Sequence, residues 1–155
     1  MTERKSTTKR KEEILDTALK IIYQEGFYNL TIRNIADNIQ ISEAAIYRHF
    51  NNKKEIVTKL ADSVLCENQL WNEDLSNKNP FDLLEKIMFN QIKILKQNPY
   101  MTAILFQEEI FAEYPNIREK FNKHRNNNKK LLKDIIKMGQ NNGKISNNVE
   151  PEVFA

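Results

Sequence analysis

The chain has 155 residues, a formal net charge of +3, one cysteine, two histidines, three glycines and four prolines. That length allows one well-packed domain, or a small domain joined to a larger one. Low Gly and Pro, frequent Lys, Glu, Leu and Ile, and no alternating apolar runs predict an all-α protein. A lone Cys66 excludes an internal disulfide and fits a reducing compartment. No apolar run approaches a membrane span, and MTERKSTTKRKEE holds no hydrophobic segment of the signal-peptide kind, so a cytoplasmic protein is expected. Asparagine recurs in clusters, as at Asn126 to Asn128, without a physical account.

In chain order, 1–8 reads as a disordered arm made basic by Arg4 and Lys5, continuing into Lys9, Arg10 and Lys11. Such an arm is either a solvated tail or a minor-groove contact, where arginine meets an enhanced negative potential. A first helix is predicted over Lys9 to Glu25. Ile14, Ala18, Ile21 and Ile22 are its buried stripe, and Gly26 is its stop. Phe27 and Leu30 then fold over the small core.

A second helix opens at Thr31, a good N-cap, with Ile32, Ile35, Ala36 and Ile39 on one face. A third opens at Ser42 and runs Glu43 to Phe50, with Ile46 and Phe50 inward and Ala44 and Arg48 on the opposite face. A fourth opens at Asn52, with Glu55 at capping-box spacing. It runs from Lys53 to about Leu75 through Ile56, Leu60, Val64, Leu65 and Trp71. Ser76 to Pro80 reads as a loop, with Pro80 suited to the first position of the next helix.

That helix runs from Phe81 to about Gln97, with Leu84, Ile87, Met88, Gln91, Ile92 and Leu95 in or beside its apolar stripe. Asn98-Pro99 breaks it. A helix over Tyr100 to about Ala112 and a long amphipathic one over Asn116 to about Gln140 follow, and Asn142-Gly143 is a turn signal. Glu150-Pro151-Glu152 reads as the start of one more helix.

Two short helices joined by a turn, the second with a small, polar and basic outer face, are the sequence form of a helix-turn-helix over 31–50. The chemistry suits DNA. Ala44 and Ala45 let the backbone approach base edges and offer methyl groups to thymine. Arg48 can donate two hydrogen bonds to guanine. The Tyr47 hydroxyl can reach a phosphate, and Lys53 and Lys54, beside the free N–H groups of a helix start, can meet one together. Thr31, Arg33 and Ser42 complete the expected DNA-facing set.

Ile14-Leu15, Ala18-Leu19, Gly26-Phe27, Thr31, Ile35-Ala36, Ile41-Ser42, Ile46-Tyr47, Phe50, Lys53 and Glu55-Ile56 fall in an order that closely resembles the DNA-binding domain of the TetR/AcrR family of transcriptional repressors, from about Lys9 to about Leu60. One departure stands out. The family usually has glycine in the turn before the second motif helix, where this chain has Gln40. Gln40 must therefore bear positive-φ strain or sit in a different turn.

The resemblance implies a DNA-binding domain over 9–60 and a partial helical regulatory domain over 61–155. It makes His49 a phosphate contact. It implies a dimer that places two recognition helices on the half-sites of a palindromic operator and is released by a small hydrophobic effector. Family members usually continue with two further helices that build most of the dimer interface. The chain therefore reads as a repressor lacking its last helices, a homodimer only at full length, with apolar groups left exposed. The expected effector lining is Leu65, Gln69, Met88, Phe89, Ile92, Met101, Leu105 and Phe106. The alternative is a DNA-binding protein regulated by a protein partner on its C-terminal helices.

Enzyme readings find little support. His49 and His124 stand apart, no Cys/His group has metal-ligand spacing, and the scattered glycines build no phosphate loop. Glu108-Glu109 and Glu113 read as a solvated helix face. No cofactor, metal or catalytic residue is expected. Cys66 reads as a packed thiol, with redox sensing as the lesser alternative.

Overall fold

A computed structural model describes residues 6–66, 78–97, 99–105 and 108–153. Among these residues the chain is all α-helix and turn: α1 (Thr7–Glu25), a 3-10 turn (Phe27–Asn29), α2 (Ile32–Asn38), α3 (Glu43–Tyr47), α4 (Lys53–Cys66), α5 (Pro80–Gln97), a second 3-10 turn (Pro99–Met101), α6 (Thr102–Leu105), α7 (Glu108–Glu113) and α8 (Pro115–Asn141). Two compact units form, one from 1–64 with 98–118, the other from 65–97 with 119–155.

The first unit is built on α1. The Ser6 hydroxyl accepts from the Lys9 N–H, so the helix starts two residues before the expected Lys9 and takes in Thr7 and Thr8. At its end Gly26 adopts φ 86° while its N–H still bonds Ile22, a conformation that favours glycine. Ile14, Ala18, Ile21 and Ile22 are buried with Phe27, Leu30, Ile35, Ile46, Ile56 and Val57. This apolar cluster holds α2, α3 and the start of α4 in place.

The segment 98–118 folds with this first unit, although the sequence reading assigned it to the regulatory part. Where a helix was expected from Tyr100, a 3-10 turn covers Pro99–Met101 first, and helix follows over Thr102–Leu105 and Glu108–Glu113, with 106 and 107 outside the described residues. Aromatic contacts tie the segment down. Tyr100 meets Tyr23 edge-on with ring centroids 5.1 Å apart, and Tyr114 meets Phe27 likewise at 6.1 Å. Met101, Ile104, Ile110 and Ile117 are buried.

In the second unit, Pro80 takes the first position of α5, and the Asn79 side-chain oxygen accepts from the Phe81 N–H. At the other end α8 stops in a Schellman arrangement. Gly143 at φ 67° donates to the Gln140 carbonyl, and Lys144 donates to that of Gly139 at 2.8 Å. The Gln140 side-chain amide then donates to the carbonyls of Ser146 and Val149, fastening the following loop against α8. The predicted helix start at 150–152 is a turn, braced by a 2.6 Å ion pair from Lys133 to Glu152.

Candidate nucleic-acid interface and cavity

The helix-turn-helix is set by three side-chain caps. Thr31 Oγ1 accepts from the Asn34 N–H at 3.0 Å and Ser42 Oγ from the Ala45 N–H at 3.2 Å. Asn52 Oδ1 accepts from the Glu55 N–H at 2.9 Å, and the Glu55 carboxylate reaches back to the Asn51 N–H at 2.7 Å. This is a capping box displaced by one residue, since the carboxylate passes the expected Asn52 N–H. The Asn51 backbone N–H is also the main reason the Glu55 carboxyl lies below its ordinary range.

The turn between α2 and α3 settles the question raised by Gln40. Its φ is +55°, the one positive value at a non-glycine residue among those described. Gln40 donates to the Asp37 carbonyl and Ile41 donates to that of Ala36 at 3.0 Å. This is the same Schellman stop that ends α8, with Gln40 at the position that Gly143 fills there. The turn keeps its geometry and Gln40 carries the left-handed backbone.

α3 is shorter than the predicted Glu43 to Phe50, closing at Tyr47 with His49 and Phe50 both bonded to the Ile46 carbonyl. Ile46 is fully buried and anchors it. Ala44, Tyr47 and Arg48 are exposed on the outer side and Ala45 is half-buried on its flank. Arg48 forms no ion pair with a described residue. Lys54 is exposed in the first turn of α4, and Arg33 spans to Asp37 at 3.8 Å on an open surface. Such an exposed pair stabilises little and leaves the guanidinium available. His49 is half-buried, and its Nδ1 has no hydrogen-bond partner among the described residues.

Lys53 is placed differently from the other expected contacts. Its ammonium lies over the Phe27 ring, 4.1 Å from the centroid, and 3.7 Å from Glu113. The Tyr114 hydroxyl donates to the same Glu113 oxygen at 2.6 Å. Burial, then the Glu113 carboxylate, pushes the Tyr114 phenol well above its usual range, keeping it a neutral donor. Lys53 thus joins the start of α4 to α7. Periodicity could not reveal this partner, which is 60 residues away in sequence.

The second unit contains a cavity of about 720 Å³. Phe81, Leu84, Ile87, Met88 and Gln91 border it from α5, Asn128, Leu132 and Ile136 from α8, and Lys144, Ile145, Ser146 and Val149 from the fastened loop. Of the expected effector lining, Met88 borders this space. Phe89 and Ile92 are 62% and 46% exposed and do not border it. Met101 is buried in the first unit and Leu105 also belongs to that unit. Leu65 is half-buried at the start of the second unit, outside the lining. Gln69 and Phe106 lie outside the described residues, as do Arg4, Lys5 and Trp71. Lys144 was missed because it follows the helix stop, and Asn128 because it is a polar residue on an otherwise apolar stripe. The available signal was the four-residue spacing of Asn128, Leu132 and Ile136.

Among the described residues no group of His, Cys, Asp and Glu could hold a metal, and no helix is long and apolar enough to cross a membrane. Capped short helices, a tight turn and an exposed Ala/Tyr/Arg face define a helix-turn-helix. The chain matches the model of the tetR family of bacterial regulatory proteins over residues 14–60. It is 27% identical over 138 residues to the HTH-type transcriptional regulator YerO of Bacillus subtilis (strain 168), covering 86% of this chain and 48% of that one. It is 26% identical to the probable acrEF/envCD operon repressor of Escherichia coli (strain K12), covering 94% and 69%. The chain thus spans about half the length of YerO. The ketosteroid transcriptional regulator KstR2 of Mycobacterium tuberculosis shares the fold, with a TM-score of 0.78 at 19% identity over 93% of this chain and 74% of that one.

Proposed function

We infer that the protein is a transcriptional repressor that binds a palindromic operator as a dimer through α3 and is released by a small hydrophobic effector. The observation that carries this is the outer face of α3. Ala44 and Ala45 clear the approach to base edges, and Arg48 is exposed with no described ion-pair partner. Arginine in that setting donates in bidentate fashion to guanine. Tyr47, Lys54, Arg33 and the caps Thr31 and Ser42 border the same face and serve phosphates. His49 is half-buried, so any phosphate contact it makes comes from the exposed edge of its ring. Lys53 is held by Glu113, so it supports the interface by placing α4 and reaches a phosphate only on leaving that carboxylate.

Release works as a population shift. A ligand that binds better to the arrangement with misplaced recognition helices draws the protein off its operator, by as much as its differential affinity. The test is fluorescence anisotropy with the DNA flanking this protein's own gene against a scrambled duplex, at several salt concentrations. Binding that prefers the flanking DNA supports the reading. Equal, steeply salt-dependent binding to both duplexes means phosphate contacts alone and refutes it.

A second reading draws on Phe89 and Ile92, large apolar groups exposed on α5 outside the cavity. Such groups suit a protein partner that controls DNA binding in place of a small molecule.

A further inference from the structure

We propose that the cavity of the second unit binds an elongated amphipathic anion, with its charged head at Lys144 and a hydrogen-bonding group at its far end beside Asn128. The proposal rests on the effector reading above and names the ligand's chemistry. Asn128, Leu132 and Ile136 follow one another at one turn of α8 each, so the wall they form is about 12 Å long at 1.5 Å per residue. Lys144 comes just after the helix stop, beyond the Ile136 end of that wall. The two polar groups therefore stand at opposite ends of an apolar trough, whose sides include Phe81, Leu84 and Met88. A volume of about 720 Å³ suits a ligand of drug-like size.

The charge pattern selects the head. Among the described residues no Asp or Glu lines the cavity, Lys144 is the one ionisable group in the lining, and Lys144 forms no ion pair with a described residue. The Schellman stop at Gly143 and the two bonds from Gln140 hold the loop that carries it. The far end is selected by Asn128, whose side-chain oxygen is buried and has no hydrogen-bond partner among the described residues. A buried amide left unpaired is costly, so a ligand group that pairs with it gains affinity. A plain hydrocarbon would leave the Asn128 oxygen unpaired and draw nothing from the exposed Lys144 ammonium.

The experiment is titration calorimetry of the full chain with decanoate, 10-hydroxydecanoate and decyltrimethylammonium, with operator binding measured on the same preparation. The expected order is 10-hydroxydecanoate, then decanoate several-fold weaker, then the cation at least about tenfold weaker again. Lys144→Glu is expected to reverse the order of decanoate and the cation. Asn128→Leu is expected to abolish the advantage of the hydroxyl while decanoate still binds. Circular dichroism checks that both variants keep wild-type helicity, and the wild-type order stands as a test by itself. Equal affinity for anion and cation, a hydroxyl preference that survives Asn128→Leu, or no saturable binding of any amphiphile would overturn the proposal. Failed amphiphile binding with intact operator preference overturns this inference alone. Lost operator preference with the expected calorimetric order overturns the repressor reading and leaves the site standing.

Discussion

Replacing Gln40 by glycine is expected to stabilise the protein, although no contact is gained. Gln40 and Gly143 occupy the same position in two Schellman stops, at φ 55° and 67°. For an L-residue that backbone costs about 1–2 kcal/mol. Glycine removes the cost but gives the unfolded chain more freedom, worth about 0.4–1 kcal/mol against folding. The difference predicts a net gain of about 0.5–1 kcal/mol. At 2–4 °C per kcal/mol for a chain of this size, the melting temperature rises by about 1–4 °C. Gln40 is exposed, so loss of its side chain takes little packing away. Alanine keeps the Cβ and therefore the strain, so Gln40→Ala should stay within about 0.5 kcal/mol of wild type. Gln40→Val, β-branched at positive φ, should be the least stable of the series. Urea denaturation followed by circular dichroism ranks the variants. A glycine variant no more stable than the alanine one would refute the strain argument.

The reciprocal change Gly143→Ala should destabilise by about 1 kcal/mol, read from the urea midpoint, and should weaken amphiphile binding because the stop positions Lys144. Glu113→Gln removes the carboxylate that holds Lys53. Binding to operator and scrambled duplexes alike should then tighten about two- to fivefold in low-salt anisotropy, with the preference between them unchanged. Burial holds the His124 imidazole below its ordinary range, and its Nε2 has no partner among the described residues. The unfolded chain therefore takes up a proton there before the folded one does. Stability is full above the unfolded value near 6.5 and is lost as pH falls from there through the folded value. Urea midpoints between pH 8 and 5 should show this fall, and His124→Gln should lessen it.

What the sequence made legible was local. Thr31, Ser42, Pro80 and Asn142-Gly143 mark helix ends because each acts on backbone within a few residues, and all four sit where expected. The inward pattern of α1 to α3 was legible for the same reason. Long-range pairing was not. Tyr100, Met101 and Tyr114 are apolar or aromatic in either unit, and nothing in their spacing says that they pack on Tyr23 and Phe27. That is why Met101 was expected in an effector site and is found in the first unit's core. Lys53 was read from its helix position alone, which names the free N–H groups beside it but not Glu113. The cavity's polar ends were hidden because Lys144 owes its place to a stop that folds the chain back, not to a periodic face.

The most direct test of the account is the preference for operator over scrambled DNA in wild type and Arg48→Ala, by anisotropy at fixed salt. If α3 reads bases through Arg48, the variant loses about 1–3 kcal/mol of that preference, roughly five- to 150-fold, while its affinity for scrambled DNA falls much less. An unchanged preference, or an equal fall on both duplexes, would show that Arg48 contacts only phosphate and would contradict the assignment of α3 as the reading helix.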